Sequence, residues 1–147
     1  MARAESNEFK NGTKAPNFTL LNTVDDSLVS LENAKGEKGT VILFICNHCP
    51  FVIHVNSELV EENFPFPYLF DETQEVAKAY DAACTPDFYV FDADLKSVYH
   101  GQLDNSRPGN GKPVTGIDLR NALDNLVANK PDLEHQKPSV GCGIKWK

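Results

Sequence analysis

The feature that most constrains the fold is an apolar run that leads directly into two cysteines. Residues 41–45 are apolar and rich in β-branched side chains, which predicts a strand buried on both faces. Cys46 and Cys49 follow with C-x-x-C spacing. Pro50 then precedes apolar residues at helical spacing, so a helix is predicted to begin there. Cys46 is therefore expected at a strand-to-helix junction.

A cysteine at such a junction is suited to thiol chemistry. Unpaired backbone N–H groups and the positive end of the helix dipole favour a thiolate over a thiol, so Cys46 is the candidate nucleophile. His48 would stabilise the Cys46 thiolate further by its charge or by a hydrogen bond. Cys49 would attack a mixed disulfide on Cys46 and release the reduced partner. The spacing thus predicts a redox-active Cys46–Cys49 pair.

Other interpretations of the same residues stay open. Cys46 and Cys49 could belong to a zinc site, but four ligands would need a second pair, and Cys84 and Cys142 are isolated in the sequence. Structurally inert cysteines are a further alternative, and His48 could be an ordinary solvated residue. The strand-then-helix context favours redox chemistry that uses no metal and no other cofactor.

Length and composition limit the class of protein. At 147 residues the chain is expected to form one domain, residues 1–147, and its apolar content of 41% is that of an ordinary globular protein. A net charge of −7 argues against nucleic acid or an anionic membrane surface as a partner. Residues 1–6 lack the apolar core of a signal peptide, and no apolar run approaches transmembrane length. We therefore expect a cytoplasmic protein whose cysteines are reactive or free rather than part of a structural disulfide framework.

The rest of the chain alternates between predicted strands and helices, which indicates an α/β fold. A pair of short strands forms an N-terminal hairpin, two later strands form an antiparallel hairpin, and two helices begin after the caps Asp71 and Thr115. The tail is predicted to be irregular. The corresponding ranges are 18–20 and 28–31 for the first hairpin, 83–92 and 97–103 for the second, and 73–80 for the first helix. The second helix has its apolar stripe at residues 119–127 and ends before Pro131, and the tail covers residues 132–147.

In this order the motifs resemble the thioredoxin-like superfamily, and more closely the redoxin branch related to peroxiredoxins and thiol:disulfide oxidoreductases. The resemblance implies a central mixed β-sheet flanked by helices, with an N-terminal β-hairpin. It also implies dithiol–disulfide exchange with a protein or a small thiol as partner. The matching stretches are residues 14–20, 46–52, 66–80, 84–88, 101–108 and 141–147.

The resemblance further implies a substrate-binding role for Thr85 and Pro86. In this family the proline is cis and packs beside the C-x-x-C pair, where the neighbouring backbone pairs with an extended substrate segment. The residues alone do not imply a cis bond, because most X-Pro bonds in folded proteins are trans.

Two departures from the family pattern carry consequences. Leu43 and Phe44 occupy the region where the peroxiredoxin branch has a threonine, which argues against direct peroxide reduction. A further strand and helix are expected between the C-x-x-C helix and residues 66–70, and they are missing after Val60, where too few residues remain for a parallel crossover. The sheet would then lose a strand beside residues 41–45. We predict either a homodimer through this exposed edge or a strand supplied by the N-terminal region.

The two isolated cysteines have two interpretations. Cys84 is either a small buried apolar residue or part of a secondary redox pair with Cys142. Three functions follow as candidates from the whole sequence. The favoured one is a thiol-disulfide oxidoreductase, and the alternatives are a thiol peroxidase and a non-catalytic interaction module with a degenerate thioredoxin fold.

Overall fold

The structure is a computed structural model that describes residues 2–61 and 66–147. Within these residues it contains nine strands and four helices. In chain order they are β1 (Arg3–Glu5), β2 (Thr19–Asn22), β3 (Leu28–Ser30), α1 (Leu31–Ala34), β4 (Gly39–Phe44), α2 (Pro50–Glu61), β5 (Leu69–Phe70), α3 (Glu75–Ala79), β6 (Cys84–Thr85), β7 (Asp87–Asp92), β8 (Ser97–Gly101), α4 (Ile117–Val127) and β9 (Val140–Gly143).

These strands form three small sheets in which every pair of neighbours is antiparallel. The strand orders are β1-β9-β6, β3-β2-β5 and β4-β7-β8. The fold is therefore α/β, but the central mixed sheet that the resemblance implies is absent from the described residues. A parallel pair needs a long crossover connection, and the chain after α2 leads instead to β5, which pairs antiparallel with β2.

Strand β4, which covers most of the apolar run at residues 41–45, lies at the edge of its sheet. It pairs with β7 from Gly39 opposite Asp92 to Phe44 opposite Asp87. Leu43 packs partly against one core cluster, and Ile42 and Phe44 pack partly against another, so each face meets a core. The side chains are only half-buried, and Val41 is 43% exposed, so the strand is less buried than predicted.

The exposed edge agrees with the expected loss of a flanking strand. The predicted junction of the missing segment, after Val60, includes residues 62–65, which lie outside the described residues. The alternative in which the N-terminal region covers β4 is wrong, because β1 pairs with β9 instead.

Strand β7, rather than β4, is the most buried strand of the sheet. Phe88 and Val90 pack into one core cluster with side chains of α2 and α4, while Tyr89 and Phe91 pack into a second cluster with Tyr80. Successive side chains of a strand point to opposite faces, so β7 has a core on each side. Because β7 begins directly after Pro86, its burial also holds the end of β6, at Thr85, in a fixed position.

Both predicted hairpins are confirmed. Strands β2 and β3 pair from Thr19 opposite Ser30, and β7 pairs with β8. The first turn is held by the Asp25 carboxylate, which accepts hydrogen bonds from the backbone and hydroxyl of Ser27. Short aspartate side chains bind their own turn in this way, which is why they signal turns in a sequence.

The predicted helix caps are partly confirmed. The Asp71 carboxylate accepts a hydrogen bond of 2.8 Å from the N–H of Ala77, so it satisfies the start of α3. At α4 the Thr115 hydroxyl accepts a hydrogen bond from Ile117, but the buried Asp104 carboxylate also binds the N–H groups of Thr115 and Gly116. Asp104 therefore serves as a second cap, which comes from a preceding loop.

The tail is not irregular throughout, because β9 forms there between β1 and β6. The sequence does not predict this strand because it contains Gly141 and Gly143, and glycine is depleted in strands. Gly141 lies so close to the Thr85 carbonyl that a Cβ atom would clash with it. The glycine thus permits the backbone approach that places β9 beside β6. None of the described helices combines the length and the apolar character needed to cross a membrane.

Candidate functional site

Three cysteines from two parts of the chain meet at one end of β6. Cys46 follows β4, Cys49 directly precedes α2, and Cys142 lies in β9. Cys49 and Cys142 form a disulfide with their α-carbons 6.2 Å apart, and Cys46 is a free thiol. The bridge therefore differs from the predicted Cys46–Cys49 pair. Spacing along the chain could not show it, because the two bonded residues are 93 positions apart.

Thr85 touches or faces all three cysteines. Its hydroxyl oxygen lies 3.4 Å from the Cys46 sulfur, and its carbonyl oxygen lies 3.3 Å from the Cys49 sulfur. Across the β6–β9 pair, Thr85 stands opposite Cys142. The peptide bond between Thr85 and Pro86 is cis, as the resemblance implies. The structure thus brings together five predicted site residues, Cys46, Cys49, Thr85, Pro86 and Cys142, but Cys142 is bonded to Cys49 rather than paired with Cys84.

The three cysteines differ in their exposure to solvent. Cys49 is 0% exposed and Cys142 is 4% exposed, whereas Cys46 is half-buried. A thiolate must reach a disulfide sulfur to attack it. A dissolved thiol or a partner protein can therefore reach Cys46 more readily than either half of the bridge.

Two polar residues lie near Cys46, one in the sequence and one in space. His48 is exposed and makes no hydrogen bond with the described residues. Tyr68, which the sequence did not predict as a site residue, donates a hydrogen bond of 2.7 Å to the Asn47 side chain. Burial raises the pKa of Tyr68, and the negative charge of a Cys46 thiolate raises it further. The phenol therefore stays neutral next to the thiolate and lies within its electrostatic reach.

Cys84 does not take part in a bridge. It is 0% exposed, and it faces Gly143 in the β6–β9 pair, so the secondary pair with Cys142 does not form. Burial raises the pKa of the Cys84 thiol to about 12, with further contributions from the charges of Asp87 and Glu5. A thiol that stays protonated at neutral pH is inert. Cys84 acts as a small buried residue beneath the site.

A buried polar cluster lies behind the site and was not expected from the sequence. His100 Nε2 is 2.9 Å from both carboxylate oxygens of Asp87, and the Ser139 hydroxyl is 2.7 Å from one of them. These side chains are at most 6% exposed. The cluster links β7 and β8 to the residue that precedes β9, so it holds the strand that carries Cys142. The only residue of this cluster that the sequence could have singled out is Asp87, because it directly follows the Thr85-Pro86 dipeptide.

A small cleft opens beside the cis proline. Its walls come from α2, from the loop after β8 and from the start of β9. Arg107 closes one side, where its guanidinium donates hydrogen bonds to the carbonyls of Asp104 and Ser106. Burial lowers the Arg107 pKa, although nearby Asp104 opposes this effect. The residues that line the cleft include Phe51, His54, Pro86, Arg107 and Val140.

Within the described residues, no group of three or more histidine, cysteine, aspartate or glutamate side chains is arranged to hold a metal ion. The sulfurs at Thr85 instead form a compact set in which one thiol adjoins one disulfide. Thiol–disulfide exchange is the reaction that such a set can perform.

Comparison with known proteins places the chain among structures of closely similar shape. No protein-family model and no curated protein matches it. The crystal structure of an uncharacterized conserved protein from Geobacillus kaustophilus is 51% identical, with a TM-score of 0.92, and the match covers 100% of this chain and 97% of that one. A hypothetical protein from Sinorhizobium meliloti 1021 is 37% identical, with a TM-score of 0.88 and coverage of 97% and 98%.

Proposed function

We propose a function from the premise that this chain belongs to the same family as the uncharacterized conserved protein from Geobacillus kaustophilus. The proposed function is that of a thiol-disulfide oxidoreductase of thioredoxin-like type, which acts on disulfides of a protein or of a small thiol. One observation carries the proposal. The half-buried free thiol of Cys46 lies next to the Thr85 hydroxyl, and the carbonyl of Thr85 contacts the sulfur of Cys49.

The reaction starts from the protein with Cys46 and Cys49 reduced. The Cys46 thiolate attacks one sulfur of the partner disulfide, the partner S–S bond breaks, and the released partner thiolate takes up a proton. Cys49 then attacks the Cys46 sulfur of the mixed disulfide and displaces the second partner sulfur. Two electrons have moved to the partner, and the protein holds a Cys46–Cys49 disulfide. A second dithiol must reduce this bond before the next cycle.

Thr85 and Pro86 have a place in the same proposal. The Thr85 hydroxyl can donate a hydrogen bond to the Cys46 thiolate, and a bond to an ionised group is stronger than one to a neutral group. Strand β6 is the edge strand of its sheet in the described residues. An extended substrate segment can pair with the free side of this strand and place side chains in the cleft at Pro86.

The test is the reduction of a model disulfide protein by the reduced protein. Replacement of the nucleophile in Cys46→Ser is expected to lower the rate by about 100-fold or more, because a hydroxyl does not replace a thiolate in exchange. Cys84→Ala is the matched control and keeps the wild-type rate, because the Cys84 thiol is buried and protonated. Equal rates for Cys46→Ser and the wild type would refute the proposal.

A glutathione titration measures the potential of the site. We expect a two-electron transition between about −120 and −270 mV, less reducing than thioredoxin, because His48 beside the thiolate favours the reduced form. His48→Ala is expected to make the potential more reducing. A transition well below about −300 mV would contradict the proposal, since structural disulfides have such potentials.

One observation favours a second candidate, a non-catalytic interaction module. The Cys49–Cys142 bridge is buried, as structural disulfides commonly are. In that case the bridge would resist reduction, and labelling of Cys49 and Cys142 would require denaturation. Activity that is lost in Cys46→Ser would exclude this candidate.

A further inference from the structure

Cys49 has two cysteines beside it and can bond to only one at a time. It is bonded to Cys142, while Cys46 lies three positions earlier and packs against the same buried cluster of Cys49, Val52 and Cys142. Cys46 and Cys49 also contact opposite ends of the same residue, Thr85. The thiol of Cys46 therefore lies beside a disulfide that includes its own predicted partner.

The bridge is closed to attack from solvent. Cys49 and Cys142 are 0% and 4% exposed, and a thiolate has to contact one of the two sulfurs to open the bond. Cys46 is the half-buried thiol next to them. A reductant in solution can thus open the bridge fastest by way of Cys46.

Strand β9 keeps Cys142 in place without help from the bridge. Cys142 pairs with Arg3 of β1 and with Thr85 of β6. The N–H of Gly143 donates a hydrogen bond to the Ala2 carbonyl, and the buried cluster of Asp87 and Ser139 anchors the residues before the strand. If the bridge opens, the Cys142 sulfur therefore remains within reach of Cys49.

From these observations we propose that Cys142 is a third redox-active cysteine, which exchanges with Cys46 for the disulfide bond to Cys49. The inference rests on the proposed oxidoreductase function and deepens it. Oxidised protein alternates between a buried Cys49–Cys142 bridge and an accessible Cys46–Cys49 bridge. The first protects the disulfide from reduction, and the second exposes it to the reducing partner.

The exchange is balanced without any external reagent. The Cys46 thiolate attacks the Cys49 sulfur, the Cys46–Cys49 bond forms, and the Cys49–Cys142 bond breaks. Cys142 leaves as a thiolate and takes up the proton that Cys46 gave up. One disulfide and one thiol are present before and after the step, so nothing is oxidised or reduced overall. A dithiol in solution can then attack Cys46, reduce the accessible bond and become a cyclic disulfide itself.

The first experiment measures how fast dithiothreitol reduces the oxidised, folded protein. Samples are quenched with acid, their free thiols are labelled, and the labelled peptides are mapped by mass spectrometry. Cys46→Ala retains the two bridge cysteines. We expect its reduction to be slower than that of the wild type by about 100-fold, because the reductant must then attack a buried sulfur directly instead of acting through Cys46. Cys84→Ala is the matched control, with an unchanged rate. Equal rates for Cys46→Ala and the wild type would overturn the inference.

The second experiment maps the thiols of the oxidised protein without any reductant. Among the three cysteines of the site, the label is expected on Cys46 in the wild type, because Cys142 holds Cys49. In Cys142→Ala the label on Cys46 is expected to disappear, since Cys49 then bonds to Cys46. Cys142→Ser repeats the test if alanine impairs folding, which circular dichroism would show. Persistent labelling of Cys46 in both folded variants would overturn the inference.

The two proposals fail in different ways. Neither experiment uses a substrate disulfide, so both report on the exchange alone. A wild-type protein that passes both tests but does not reduce a model disulfide protein would refute the proposed function. A protein that reduces the model disulfide but shows no dependence of bridge reduction on Cys46 would refute the exchange.

Discussion

Thr85 is the residue at which the chemistry of the site and the path of the backbone meet. Its hydroxyl approaches Cys46, its carbonyl approaches Cys49, and its strand partner is Cys142. The cis bond that follows turns the chain toward the cleft at Pro86. A change of the Thr85 side chain therefore tests one of these contacts without altering the other two.

We expect Thr85→Val to slow the alkylation of Cys46 by iodoacetamide at pH 7 by about ten-fold, or about 1.4 kcal/mol. Valine has the shape of threonine but cannot donate a hydrogen bond to the thiolate. The rate is followed by mass spectrometry of the Cys46 peptide. Thr19→Val, at an exposed position on β2, is the control. An unchanged rate in Thr85→Val would show that the hydroxyl does not support the thiolate.

The buried Cys84 thiol makes stability depend on pH in the alkaline range. Its pKa rises from an ordinary value of 9.0 to about 12 in the folded protein. Above pH 9 the unfolded chain loses the proton that the folded chain keeps, so folding becomes less favourable as pH rises. The contribution is fully present below pH 9 and is lost progressively up to about pH 12.

Between pH 7 and about pH 10, the free energy of unfolding of the wild type is expected to fall by about 1.4 kcal/mol more than that of Cys84→Ala. Urea unfolding with a phosphine reductant measures both proteins without disulfide exchange. Tyrosines with raised pKa values, such as Tyr80, contribute equally to both proteins and cancel in the comparison. Parallel pH profiles would show that Cys84 titrates normally.

At the scale of elements, β9 has the largest effect on the site. It joins β1 to β6, so the two ends of the chain meet beside the cysteines. The strand carries Cys142 and reaches Thr85 through Gly141, whose missing side chain allows the close approach. The geometry of the bridge therefore depends on a glycine that takes no part in the chemistry.

Gly141→Ala is expected to lower the free energy of unfolding by about 1–3 kcal/mol, because the new methyl group would overlap the Thr85 carbonyl. It is also expected to reduce the fraction of protein with the Cys49–Cys142 bridge. Gly143→Ala is a control on the same strand, where the nearest atoms would lie 3.5 Å from the Cβ atom. Urea unfolding and thiol mapping report the two effects. Similar losses in the two variants would point to a general cost of alanine in β9.

At the scale of the whole molecule, the open edge of β4 bears on assembly. No described strand pairs with its outer side, and Val41 is exposed there. Unpaired N–H and C=O groups along a strand edge favour pairing with another chain. The expected homodimer thus remains a prediction, and this edge is the interface that we predict for it.

We expect the wild type to be a dimer at high protein concentration, and Val41→Lys to be a monomer, because a lysine on an edge strand opposes edge-to-edge pairing. Sedimentation velocity at several concentrations distinguishes the two states. Val24→Lys is the control, since Val24 is 75% exposed and lies in the turn between β2 and β3. A monomeric wild type at every concentration would rule out this interface.

Local patterns were sufficient for much of the fold and part of the site. The two hairpins, the starts of α2 and α4, and the position of Cys46 at a strand-to-helix junction follow from turn chemistry and from apolar periodicity. These signals act over a few residues, so a sequence displays them directly. The cis bond at Pro86 was implied only by the resemblance, because an isolated sequence favours a trans bond.

The amino-acid sequence by itself therefore determined the two hairpins, the helices α2, α3 and α4, and which thiol is the candidate nucleophile, because these depend on neighbouring residues. Tertiary structure alone decided that Cys49 bonds to Cys142, that Thr85 stands among three cysteines, and that β7 rather than β4 is the most buried strand. These features join residues far apart in the chain. They arise from the pairing of β9 with β6 and from burial on both faces of β7, which no local pattern encodes.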